Sequence, residues 1–194
     1  MGLSIHYSGF LKEASLLPDL IDEIKNVAEV YNWKYIIYET QLPDNKFSQE
    51  KDFEKIFGIS FTPFDCETIS LAFLSNGAMI CPVRVKFTTD FSDDKESWVY
   101  TNSVKTQYAG VKVHQLIIHL FRHLDNEYFR DFKMIDESYY WETTDEKRMI
   151  EQFKVYDRLI DNFVLATETF PLHKNEDITA YFKRLMHHIK NLKK

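Results

Sequence analysis

The chain has 194 residues, with 24 Lys and Arg against 30 Asp and Glu, for a formal net charge of -6. It carries 16 Phe, 11 Tyr and 3 Trp but only 5 Gly and 5 Pro. Gly plus Pro is thus about 5% of the chain against roughly 12% in average usage, which excludes collagen-like, linker-like and Pro-rich disordered classes and leaves little for a glycine-rich phosphate loop.

Residues 3–8 alternate, with Leu3, Ile5 and Tyr7 on one face and Ser4, His6 and Ser8 on the other. That period of two predicts a half-buried strand ending at Gly9. Leu17, Leu20, Ile21, Ile24, Val27, Ala28 and Tyr31 then follow helical spacing, which predicts a helix from about Leu16 to Tyr31 with Pro18 harmless in its first turn. Residues 33–40 are aromatic and β-branched and predict a second strand, so the chain opens β-α-β.

Residues 42–51 read as a polar loop, and 52–57 as a short helical piece stopped by Gly58. Asn76-Gly77 between 67–75 and 78–83 is a strong short-range hairpin signal. A two-residue turn there sets Cys81 opposite Ala72, and Cys66 opposite Phe87 if the strand runs on to about Phe91, so the two cysteines are not cross-strand partners. Pro82 inside that strand marks an edge or a bulge. A turn at Ser92–Glu96 and a long strand from Trp98 to Tyr108 follow.

Gly110 opens a helix to about Leu124 on the stripe Val113, Leu116, Ile117, Leu120 and Leu124, and Arg130 to Ile135 reads as a short strand. Thr143-Thr144-Asp145-Glu146 has the form of a capping box before a long helix, with Pro171 past its end, and Asn175 reads as the cap of a last helix. Strands fall early and helices late. The expected class is therefore α+β: a single domain over 1–194, a mixed or antiparallel sheet covered mainly on one face by helices, and a basic C-terminal helix (172–194) packed on it.

Two cysteines are too few for a disulfide framework or a thiolate zinc site. The N-terminal residues lack the pattern of a signal peptide, and no apolar run approaches the 18 or so residues of a membrane helix, so the expectation is a soluble cytoplasmic protein. Gly-x-Gly-x-x-Gly, Walker A, Gly-x-Ser-x-Gly and EF-hand patterns are absent. No cofactor is expected.

Five places carry residues that can do chemistry. At 103–114 a polar strand runs through Ala109-Gly110 into a helix, whose free N–H groups attract anions. Lys105, Gln107 and Lys112 would add donors, and His114 sits in the same first turn; the alternative is a solvated strand face with Gly110 serving only the turn. His119 and His123 have the i, i+4 spacing of a metal pair, but Leu120 stands where a zinc protease has Glu, and two surface histidines is the preferred reading. Asp136 and Glu137 beside Tyr139, Tyr140 and Trp141 resemble a stacking surface with acid/base carboxylates, or else an aromatic plug over the core. His6 lines a cleft with His114 if its strand is central and faces water if it is at an edge. Finally, residues 174–194 hold six basic and two acidic residues, leaving -10 on the rest, so the helix can dock on its own body as well as on a partner.

Two functions follow. The first is a non-catalytic protein that binds a protein partner or its own copy, with nucleic acid and membrane disfavoured. The second is a small enzyme acting on an anionic small molecule at 105–114, where Lys105 and Gln107 bind, His114 is the acid or base, and Asp136 or Glu137 orients it. The first is preferred, since no nucleophile, metal set or cofactor loop assembles with specificity.

Overall fold

A computed structural model describes residues 2–88 and 98–192. In chain order it contains β1 (Ser4–Leu11), α1 (Leu17–Val30), β2 (Lys34–Ile37), β3 (Phe57–Thr62), β4 (Ile69–Phe73), β5 (Met79–Ile80), α2 (Pro82–Phe87), β6 (Asn102–Lys105), α3 (Gly110–Tyr128), β7 (Phe129–Asp136), α4 (Tyr140–Thr143), α5 (Glu146–Thr169) and α6 (Ile178–Leu192). The fold is α+β, and the chain opens β-α-β in order. The first and second strands nevertheless belong to different sheets. One sheet is β6-β1-β7 and the other β2-β3-β4-β5, and the pairings inside both are antiparallel. The sheets touch where the end of β1 meets the hairpin, through the Phe10–Ala78 bridge and the Leu11 N–H donating to Gly77 O at 2.9 Å.

The alternation of β1 does what its period demands. Ile5, Tyr7 and Leu11 are buried while Ser4, His6 and Ser8 are half-buried. α1 lays Leu17, Leu20, Ile21, Ile24 and Ala28 on the same core, and α3 adds Ile117, Ile118, Phe121 and Leu124. The helices thus cover mainly one face. Burial on this scale, at about 25 cal/mol per Å² of apolar surface, supplies the main driving force for the body. A second, smaller core of Ala72, Leu74, Ile80, Val85 and Val99 sits on the opposite face of the β2–β5 sheet.

Several expectations from the sequence are corrected. The hairpin is where Asn76-Gly77 places it, but Ala72 opposes Ile80, one residue off the expected register. The loop holds three residues rather than two, because Leu74 N donates to Ala78 O at 3.0 Å and Gly77 adopts φ 81. This is a type I turn closed by a left-handed residue, which Asn-Gly also satisfies. The strand then stops at Ile80, and Pro82 starts helix α2 at the position where a missing N–H costs nothing. The strand expected over 98–108 shrinks to Asn102–Lys105, and no helix forms over 52–57. Asp145, not Thr143, caps α5, accepting from Arg148 N at 3.1 Å. Asp177, not Asn175, caps α6, accepting from Thr179 N at 2.7 Å. The turn expected at Ser92–Glu96 lies outside the described residues.

The C-terminal helices form a hairpin of their own. Met149 and Phe153 anchor the start of α5 in the main core. Farther along, Ala166 and Leu185 are the buried side chains of the α5–α6 seam. Arg184 ties the connecting loop, donating to Glu176 at 2.6 and 2.8 Å and to Pro171 O at 3.0 Å while stacking on Phe170 at 4.1 Å. That side-chain hydrogen bond from Arg184 holds the Glu176 carboxyl down at about 2. Both cysteines are free, and among the described residues no helix is long and apolar enough to cross a membrane.

Candidate functional site

The strand-to-helix junction and the end of β7 converge inside the body. His114, one turn into α3, is fully buried, as are Thr106 and Ser138, and Asp136 is 1% exposed. Thr106 Oγ1 lies 2.8 Å from His114 Nδ1; His114 Nε2 lies 2.9 Å from Ser138 Oγ and 3.3 Å from Asp136 Oδ1. Asp136 also accepts from the Ser138 hydroxyl at 2.7 Å and from the backbone N–H groups of Ser138, Tyr140 and Trp141 at 2.8, 2.9 and 3.0 Å. Burial pushes this carboxyl up, but the bond and charge of His114 together with the two Ser138 donors outweigh it and leave the pKa below the ordinary value.

Ser, His and Asp in contact invite comparison with a nucleophilic triad, and the proton directions decide against it. In such a triad the serine donates to one imidazole nitrogen and the carboxylate accepts from the other. Here serine and carboxylate share Nε2, and the Ser138 proton is committed to Asp136 at 2.7 Å. His114 Nε2 must therefore be the donor to Ser138, so the hydroxyl gains no base. The cluster is closed: it caps α4, fixes the turn after β7 and ties α3 to β6.

The other residues singled out in the sequence take separate places. Gln107 is buried, accepting from Leu3 N at 3.2 Å and donating to Asp157 Oδ1 at 2.7 Å, so it ties β1 to α5. Lys105 is half-exposed and joined through its backbone N–H to Glu67, while Lys112 faces solvent. Gly110 adopts φ 79 with open space where a side chain would stand, so the residue serves the backbone and not a close approach. Lys105, Gln107, His114 and Asp136 therefore share no open pocket.

His6 lies on a central strand yet stays half-exposed, 3.9 Å from Glu137, whose other oxygen accepts from Ser4 N at 2.7 Å. His119 turns to the Tyr140 hydroxyl at 3.2 Å and His123 to Glu23 at 2.6 Å, so the i, i+4 pair does not converge. Among the described residues no group of three or more His, Cys, Asp or Glu side chains could hold a metal ion. Tyr140 is buried and Trp141 half-buried against Phe132, with Arg122 donating to both their carbonyls at 3.0 and 2.7 Å. Tyr139 is left as the exposed ring of the three. Burial pushes the Cys66 thiol up to about 12, so it is no nucleophile at neutral pH.

Two features were not foreseen. The outer face of the β2–β5 sheet, beyond the smaller core, carries a cavity of about 610 Å³ bounded by α2, by Trp98 and by the start of β6. Its floor holds a row of hydroxyls, Tyr38 to Ser60 at 3.1 Å and Ser60 to Ser70 at 3.0 Å. The second feature is the line Ile178, Phe182 and Met186 on α6, exposed by 68%, 44% and 46%. Helical spacing was legible there, but the sequence could not say that the apolar side would remain uncovered. Comparison of the chain with protein-family models, with curated proteins and with solved structures returns no match.

Proposed function

We propose that the protein is a non-catalytic interaction protein that pairs with its own copy through the α5–α6 hairpin. The observation carrying this reading is the exposed line of Ile178, Phe182 and Met186 at i, i+4 and i+8. A two-helix hairpin has one internal seam, filled here by Ala166 and Leu185, and a second apolar line on such a hairpin is satisfied when two hairpins meet as a four-helix bundle. Val164 and Leu165 on α5, 47% and 57% exposed, extend the surface that would be covered.

Charge favours a second copy over an unrelated acidic partner. Residues 174–194 carry a net +4 and the rest of the chain -10, so a two-fold arrangement sets each basic helix against an acidic body. Thr106, His114, Asp136 and Ser138, the set that most resembles catalytic machinery, are buried and bonded to one another, which favours binding over catalysis. Sedimentation velocity tests the reading. The wild-type chain is expected to sediment as a dimer at micromolar concentration, and Phe182→Glu with Met186→Lys as a monomer of unchanged circular dichroism. A wild-type chain that stays monomeric at the highest soluble concentration overturns it.

A further inference from the structure

We infer that the cavity on the outer face of the β2–β5 sheet is a binding site for a small aromatic carboxylate. Its volume, about 610 Å³, lies within the range of small-molecule sites. Three independent features of its lining ask for the same chemistry.

The first is the hydroxyl row. Ser60 Oγ donates to Ser70 Oγ, so its single proton is spent and Tyr38 must be the donor to Ser60. The row therefore runs in one direction and ends at Ser70, whose own hydroxyl proton meets no acceptor among the described residues. Tyr7, reaching across from β1, takes up the backbone of Ser70 instead, accepting from its N–H at 2.9 Å and donating to its carbonyl at 3.1 Å. The second feature is Asn102 at the cavity wall. It is 2% exposed, and its Nδ2 is the buried side-chain polar atom without a partner among the described residues. Buried amides nearly always find a partner, so an unmet one beside a cavity points to an acceptor supplied from outside. The third is Arg84, stacked 4.8 Å over the Trp98 ring and anchored by Nη1 to the carbonyls of Trp98 and Thr101 at 2.9 and 2.5 Å. Its Nε and Nη2 donate to no described residue.

Two neutral donors and one cation with N–H groups that meet no described acceptor call for a ligand end that only accepts and carries negative charge. A carboxylate meets both conditions. The wall also holds Thr68, Ser103 and Glu67, whose carboxylate accepts from Lys105 N at 2.7 Å, so the ligand's acid end belongs on the Arg84 side; Ile36, Phe87 and Trp98, exposed by 63%, 74% and 50%, form an apolar side that suits a flat ring. The site is separate from the buried cluster around His114 and from the α6 surface, so it stands or falls independently of self-association.

Isothermal titration with 2-naphthoate, and with 2-naphthalenemethanol as its uncharged counterpart, tests the assignment while sedimentation follows the oligomeric state. Wild type is expected to bind naphthoate at least about tenfold more tightly than the alcohol, the margin of a hydrogen bond to a charged group. Arg84→Gln should remove that margin without changing affinity for the alcohol. Asn102→Leu should weaken naphthoate by a similar factor while melting at the same or a higher temperature, since it deletes an unmet buried donor. Ile36→Trp, at an exposed edge position, should block both ligands in a folded protein. Absence of naphthoate binding to wild type, equal binding of acid and alcohol, or full affinity in the Arg84 and Asn102 variants would each overturn the proposal, whatever the oligomeric state proves to be.

Discussion

The protein holds two polar clusters inside sheet-built surroundings, and they end differently. Around Asp136 every donor finds an acceptor within the chain: the carboxylate takes the Ser138 hydroxyl, three backbone N–H groups and His114. Around Ser70 the row of hydroxyls runs out, and Asn102 Nδ2 beside it stays unmet. Polarity and burial are alike in the two places; what distinguishes them is closure. A closed network fixes a backbone, whereas an open one leaves binding capacity for something else. The residue types that most resemble catalytic machinery, Ser, His and Asp, belong to the closed cluster, and the open one is made of residues that fit no motif.

The largest expected effect falls on the closed cluster. Asp136→Ala takes the facing carboxylate from His114 and the acceptor from the Ser138 hydroxyl and three backbone N–H groups, and urea unfolding should show a loss of about 3–5 kcal/mol, the range for breaking a buried pair. A loss under about 1 kcal/mol, the scale of an exposed ion pair, would mean the cluster is not closed as described. Next comes a side-chain contact between the two sheets. Tyr7→Phe strips Ser70 N–H and C=O of the partner they share, and the expected loss is about 1–3 kcal/mol by the same measurement. The open row should respond least of the three, with Ser60→Ala costing about 1 kcal/mol because its two ordinary hydrogen bonds, from Tyr38 and to Ser70, are lost beside a cavity where water can replace them.

Acid provides a fourth comparison. The Asp136 and Glu176 carboxyls are both held below their ordinary range in the folded protein, so each stabilises fully above its unfolded value and loses that contribution as pH falls through the folded one. Stability followed from neutrality downward should therefore be level to about pH 4 and then fall, with the Glu176 share released on approaching pH 2. In Asp136→Asn the decline should be shallower. An equal decline in wild type and variant would place the acid sensitivity elsewhere.

Period and turn chemistry made much of this fold legible. Leu3, Ile5 and Tyr7 announced β1, the Leu17–Ala28 stripe announced α1, and Asn76-Gly77 marked the hairpin. The misses share a cause. Asn-Gly serves both two- and three-residue turns, so the register slipped by one, and Pro82 reads equally as a strand edge or a helix start. His114 and Asp136 were named as neighbours, and they are, but burial decides their role and no local pattern encodes burial. The cavity was illegible for a simpler reason: Tyr38, Ser60, Ser70, Arg84 and Asn102 come from five separate stretches and meet only through the pairing of strands.

The central place of β1 has a consequence for how the molecule is made. Its two neighbours in the sheet, β6 and β7, lie about a hundred residues downstream, with Ile5 paired to Val104 on one side and Asp136 on the other. A ribosome adding 5–20 residues each second would leave this strand without β7 for roughly 6 to 25 seconds. Throughout that interval the nascent chain carries an apolar ribbon with both edges bare, open to mispairing with any strand that appears sooner. A strand synthesised early is thus among the last to be secured, and a chaperone that shields it on the nascent chain should raise the yield of this protein more than one acting on the finished chain.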